Sequence, residues 1–187
     1  MTNTTDAIQD IYKALGINTD QLGCVMLDIK KIEMPSMPEY EDELSVHFYY
    51  GESASDIYAD GYVGKSSPHI TLIYGLLKSA HDYKIYIDTL LKSWDMPKTV
   101  TVAGIAVFEN ENYDVVHAKI ELTNALKEGN ALLQKLPHIT NYPEYIPHIT
   151  LGYIKKNQDD FIKDMVSTME EKLLNKELTI TGINYGD

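Results

Sequence analysis

Pro68-His69-Ile70-Thr71-Leu72-Ile73-Tyr74 recurs almost letter for letter as Pro147-His148-Ile149-Thr150-Leu151-Gly152-Tyr153. Isoleucine, threonine, leucine and tyrosine favour strands, and the pattern has a period of two, so each copy is predicted to be a β-strand. On such a strand His69 and Thr71 point to one face and Ile70 and Leu72 to the other. His148 and Thr150 oppose Ile149 and Leu151 in the same way. Each strand then buries an aliphatic face and presents one imidazole and one hydroxyl. If the two strands face each other, the result is a cleft holding two histidines and two threonines.

Elements of both kinds surround these strands. Ile8, Ile11, Tyr12 and Leu15 recur at helical spacing, so Thr4 to Leu15 is predicted to be a short helix ending at Gly16. Cys24 to Ile29 reads as a strand. The stretch from Lys30 to Ser67 is irregular, with a candidate strand at Leu44 to Tyr50 and a loop from Gly51 to Ser67 whose length suggests a functional role. Ser79 to Trp94 is predicted to be a helix with Tyr83, Ile87, Leu90, Leu91 and Trp94 on its apolar stripe. Lys98 to Phe108 and Asp114 to Leu122 read as an antiparallel hairpin. A helix over Thr123 to Leu136 precedes the second motif. Another over Asn157 to Leu174 follows it, with Asn157 as cap, acidic at Asp159 and Asp160 and basic at Lys172. Glu177 to Tyr185 is the closing strand. Each motif is followed by a helix and then a strand, and no Gly/Ser linker or charge run divides the chain. One domain over residues 1–187 is expected, with 1–21 as a helical extension and two lobes that do not separate.

Composition narrows the chemistry. The 187 residues can bury a substantial core. The single cysteine, Cys24, allows no intrachain disulfide, so a reducing cytoplasm is the expected setting. No apolar run approaches the ~20 residues of a membrane helix. The formal charge is −12, and all sixteen basic residues are lysines. A protein that tracks long DNA or RNA carries a basic face and arginine forks, so that class is disfavoured, while a small anionic substrate is not. Lys65, just before the first motif, is the lysine retained as a substrate-binding candidate. Lys30, Lys31, Lys78, Lys155 and Lys156 are more simply solvated strand ends.

The paired motif suits acid–base chemistry on a phosphate ester. Histidine titrates near neutrality, so one imidazole can be neutral while its partner is protonated. The first can take a proton from a 2′-hydroxyl or water, and the second can give one to a leaving oxygen. Threonine hydroxyls can donate to non-bridging phosphate oxygens as charge builds there. Which histidine is acid and which is base stays open at this point. Gly152 stands where the first copy has Ile73, and its missing side chain would let a ligand approach. Fourteen tyrosines are a high count, and Tyr74, Tyr142, Tyr145 and Tyr153 are taken as substrate-binding candidates because bases stack on aromatic rings. A third His-x-Thr, at His138 to Thr140, reads as a loop near the cleft with a structural role. His81 is read as solvated, and His47 and His117 as exposed strand residues. No spacing for a zinc site is present, so neither metal nor cofactor is expected.

Two His-x-Thr motifs about eighty residues apart resemble the 2H phosphoesterase superfamily. The extended forms PHITLIY and PHITLGY make the resemblance specific, and it covers the chain from about Gly23 to its end. It implies an α+β, bilobal, pseudo-symmetric fold of two antiparallel sheets facing a central cleft, with helices outside. It also implies metal-free cleavage of nucleotide phosphodiesters by His69, Thr71, His148 and Thr150. Within the superfamily the chain is similar to phage proteins that defeat cyclic-oligonucleotide-based antiphage signalling (CBASS). That narrower likeness rests on Gly61 to Lys65, Tyr113 to Val116 and the chain length. It implies a cyclic di- or trinucleotide as partner and the host cytoplasm as location, with no membrane or long nucleic acid. A homodimer is compatible. Two alternatives remain: a processor of 2′,3′-cyclic-phosphate or 2′–5′ RNA ends, and a nucleotide sponge that binds without cutting.

Overall fold

In the computed structural model, residues 22–30, 68–139, 142 and 144–186 are described, together with positions 14 and 16. The readings of a helix at Thr4 to Leu15, a strand at Leu44 to Tyr50 and a loop at Gly51 to Ser67 lie outside these residues. The described elements run β1 (Gly23–Ile29), β2 (His69–Leu76), α1 (Lys84–Leu91), β3 (Thr99–Glu109), β4 (Tyr113–Ile120), α2 (Asn124–Leu133), β5 (His148–Lys155), α3 (Asp159–Leu173) and β6 (Glu177–Gly186). Every predicted strand and helix within the described residues is present and the fold is α+β, but the helix expected over Ser79 to Trp94 is confined to Lys84–Leu91, leaving Tyr83 and Trp94 outside it.

The strands pair antiparallel in the order β2-β1-β6-β3-β4-β5. The seam between β6 and β3 is short, joining Thr99 to Thr101 with Glu177 to Thr179. Three strands therefore lie on each side of it, as two lobes. β2 and β5 end the strand order, yet they contact each other, so the sheet curls until its two ends meet.

The two repeats exchange a strand. The first repeat contributes β1, β2 and β3, and the second contributes β4, β5 and β6. However, β3 pairs along its length with β4, while β6 pairs with β1. Each lobe is thus completed by the last strand of the other repeat.

Burial follows the alternation of the strands. Val25, Leu27 and Ile29 of β1 are buried, as are Ile70 and Leu72 of β2 and Ile149 and Leu151 of β5. Against this face pack Ile87 and Leu91 of α1, Leu126 and Leu133 of α2, and Phe161, Met165, Met169 and Leu173 of α3. α2 starts at Thr123, whose hydroxyl accepts from the Leu126 N–H at 3.3 Å. It lies flat against Trp94, because a Cβ at Gly129 would stand 2.6 Å from the indole. Trp94 Nε1 donates to the Ala125 carbonyl at 2.9 Å, which satisfies its one polar atom.

The start of α3 differs from the sequence expectation. Asn157 adopts φ 65° in the turn after β5 and is not the cap. Asparagine tolerates that left-handed conformation. Gln158 holds the cap position without a side-chain bond. Among the described residues no helix is long and apolar enough to cross a membrane.

Candidate active site

Both motif strands carry a β-bulge at the same place. On β2, Val25 faces Ile73 while the next residue, Met26, faces Thr71, so Leu72 is the extra residue. On β5, Val116 faces Gly152 and His117 faces Thr150, so Leu151 is the extra residue. An extra residue reverses which face the following side chains take. Hence His69, Thr71 and Tyr74 share the face opposite the helices, as do His148, Thr150 and Tyr153. Asn130 of α2 donates its amide to the Leu72 carbonyl at 2.6 Å and so supports the first bulge from the core side.

The bulge corrects the reading of Gly152. Strict period two set it beside His148 and Thr150, but its partner Val116 is fully buried, and Gly152 is buried with it on the helix side. Tyr153 takes the cleft face instead and meets Tyr113 edge-on, with ring centroids 5.7 Å apart. Its counterpart Tyr74 is exposed.

The two histidines come within electrostatic reach of each other. His148 is half-buried. Its Nδ1 lies 2.9 Å from the Ile146 carbonyl, and a carbonyl can only accept, so Nδ1 carries the proton and Nε2 keeps its lone pair. Burial pulls the His148 pKa below the usual imidazole range. The Ile146 hydrogen bond opposes that shift, and the charge on His69 adds to it. His69 lies opposite Asp28 of β1, whose carboxylate accepts from Asn184 Nδ2 at 3.1 Å. Thr71 and Thr150 are half-buried, and neither hydroxyl is bonded to a protein partner among the described residues.

His117, read as an exposed strand residue, is 2% exposed. Its ring stacks on Phe108 at 3.7 Å with an 11° interplanar angle and stands 5.3 Å from His148. Burial lowers its pKa to about 4, and the charges of His148 and Lys119 contribute, so it is neutral near pH 7. Nothing in the local sequence marks this, since valines and alanine surround it. The missed signal is topological: β4 adjoins the second motif strand and sets His117 opposite Thr150. Phe108, Asp28 and Asn184 were missed for the same reason.

The remaining candidates divide. Lys65 and His47 lie outside the described residues. Tyr142 is exposed. Tyr145 packs against the core margin; its buried hydroxyl lacks a hydrogen-bond partner among the described residues, and burial raises its pKa. Lys156 is engaged with Asp114 at 2.5 Å. His81 is exposed in the turn before α1. His138 pairs with Leu76, seven residues along β2 from His69, and its Nδ1 donates to the Leu136 carbonyl at 2.7 Å, a structural role. Among the described residues no three His, Cys, Asp or Glu side chains converge as a metal site.

No curated protein sequence matches the chain. The solved structure of Kluyveromyces marxianus Usb1 with uridine monophosphate is similar, with a TM-score of 0.52 at 10% identity, over 90% of this chain and 95% of that one. A second structure of Kluyveromyces marxianus Usb1 matches with a TM-score of 0.46 at 10% identity, over 88% and 96%. The model of the 2′-5′ RNA ligase superfamily matches residues 44–185, which span both motifs and all strands but β1. The chain belongs to that superfamily of 2H phosphoesterases.

Proposed function

We propose that the protein is a metal-independent phosphodiesterase that cuts 3′–5′ bonds of cyclic di- or trinucleotides beside a free 2′-hydroxyl, and so counteracts CBASS signalling. The observation that carries the catalytic part is geometric: His69 and His148 lie half-buried on β2 and β5, the two strands that end the sheet order and contact each other. The lowered pKa of His148 fits it to the role of base. Its Nε2 takes the proton of the 2′-hydroxyl, and that oxygen forms a bond to phosphorus. The bond to the 5′-oxygen breaks as His69 supplies a proton to it. Thr71 and Thr150 donate to the non-bridging oxygens, whose charge grows in the transition state. The first product is a 2′,3′-cyclic phosphate, which water can open to a 3′-phosphate by the reverse use of the same pair.

The substrate assignment is supported by the charge of −12, the absence of arginine and the likeness at Gly61 to Lys65 and Tyr113 to Val116. Tyr74 and Tyr153 are suited to stacking on the bases. The second reading, action on RNA ends carrying a 2′,3′-cyclic phosphate, is favoured by the family and by a fold neighbour solved with a mononucleotide.

One assay separates them. The protein is incubated in chelator with cyclic dinucleotides, cyclic trinucleotides and a cyclic-phosphate-ended RNA, and the products are resolved by chromatography. The proposal expects the rings to open and His69→Ala and His148→Ala to abolish cutting while retaining binding. Cutting of the RNA alone would transfer the function to the second reading. Binding with no cutting of any probe would make the protein a sponge.

A further inference from the structure

The two motifs match in letters, but their surroundings do not. In the first lobe β1 sets Met26, a flexible thioether, opposite Thr71. In the second lobe β4 sets His117 opposite Thr150. His117 is stacked on Phe108, which β3 brings across from the first repeat. The Nδ1–H of His117 donates to the Val115 carbonyl at 3.3 Å, which adds an in-plane restraint at the ring edge. His148 stands edge-on to both members of the stack, 5.1 Å from Phe108 at 82° and 5.3 Å from His117 at 71°. Edge-to-face contacts of this kind orient a ring as well as bury it.

We propose that His117 is a positioning residue: stacked on Phe108, it forms an aromatic wall that holds the plane of His148 and keeps Nε2 turned toward the scissile phosphate. The inference rests on the paired-histidine reading above and assigns the asymmetry between the motifs. The second copy has a rigid wall and acts as base. The first copy has Asp28 opposite its imidazole and acts as acid. Among the described residues the ionisable groups around His148 are His69 from β2 and His117 and Lys119 from β4, while β3 contributes the uncharged ring of Phe108. Burial keeps the wall neutral, which matters because a cationic ring at 5.3 Å would weaken His148 as a base.

The test compares wild type, His117→Phe, His117→Ala and His148→Ala. Cleavage is followed with 3′,3′-cyclic di-AMP, and the His148 ring is observed by NMR in protein labelled with ¹⁵N-histidine. Alanine at 117 removes the wall and is expected to lower kcat ~10²-fold with KM within a few-fold, as a misplaced base does. It should also broaden the Nδ1–H signal that reports the bond to Ile146. Phenylalanine keeps the stack and should restore both activity and signal. The proposal is overturned if His117→Ala turns over like wild type with an unchanged His148 signal. It is equally overturned if His117→Phe is as impaired as alanine while both melt like wild type, because the ring nitrogen rather than the ring face would then be required. Activity surviving in His148→Ala would refute the paired-histidine reading instead, leaving the wall to be judged by the NMR signal alone.

Discussion

Replacing His117 by phenylalanine should make the protein less sensitive to mild acid. The His117 pKa falls from 6.5 in the unfolded chain to about 4 in the folded one, chiefly through burial. The unfolded chain therefore binds a proton more readily, so acid favours unfolding. The stability at stake is intact above pH 6.5 and is lost as pH falls toward 4. At ~1.4 kcal/mol per tenfold change in affinity, the full loss is about 3 kcal/mol. At pH 5 the unfolded imidazole is almost wholly protonated and the folded one is mostly neutral, which gives about 2 kcal/mol. Phenylalanine cannot titrate, so the mutant lacks this slope, whatever its absolute stability. Urea unfolding of both proteins at pH 7.5, 6, 5 and 4.5 measures the difference, and groups that titrate alike in both cancel. The stability gap between mutant and wild type should shift by about 2 kcal/mol in favour of phenylalanine between pH 7.5 and 5. Parallel curves, within ~0.5 kcal/mol, would mean that the native protein accepts a proton on His117 freely. The stacked, buried ring would then be an incorrect account of that residue.

Three further outcomes follow from the site and its supports. The acidic limb of kcat/KM should lie below pH 6.5, because His148 must lose its proton to act as base and burial lowers its pKa; a limb above 6.5 would count against that assignment. Thr150→Val keeps the shape but removes a donor, so kcat should fall about 10²-fold with KM little changed, as steady-state kinetics would show. Gly75→Ala should destabilise the fold by about 2–4 kcal/mol in urea, because φ is 92° there and the new Cβ would collide with the Ile139 carbonyl oxygen.

How far the site could be read from the sequence depended on the range of the interaction involved. Element order was legible because it rests on local periodicity: the stripe of Ile87, Leu90 and Leu91 and the alternation in Cys24 to Ile29 need no partner to be seen. The shared face of His69 and Thr71, and of His148 and Thr150, was legible for the same reason. Beyond those threonines period two failed, because a bulge depends on the register with a neighbouring strand. One inserted residue sends Gly152 to the core and turns Tyr153 outward. His117 was illegible in a similar way, since an imidazole among valines is exposed or buried according to which strands flank it. The cap at Asn157 was a local error: the residue type fitted, but its positive φ serves the preceding turn.

The exchange of β3 and β6 carries the last prediction, about how the chain holds together. A cut in the hairpin turn between Glu109 and Tyr113 divides the repeats without interrupting a strand. The first fragment would keep β1, β2 and β3, but β3 has its longest ladder, Val102 to Glu109, with β4 of the other fragment. The second would keep β4, β5 and β6, yet β6 pairs through Gly186 to Ile180 with β1. Each fragment alone would thus hold a pair of matched strands and a third strand with its main partner missing, exposing an edge and half of an apolar face. Neither should show a cooperative thermal transition by circular dichroism, whereas an equimolar mixture should regain one, along with whatever cleavage activity the intact chain has. Cooperative melting of either fragment alone would mean that the lobes are separable domains, and the exchange of strands would then be an incidental feature of their packing.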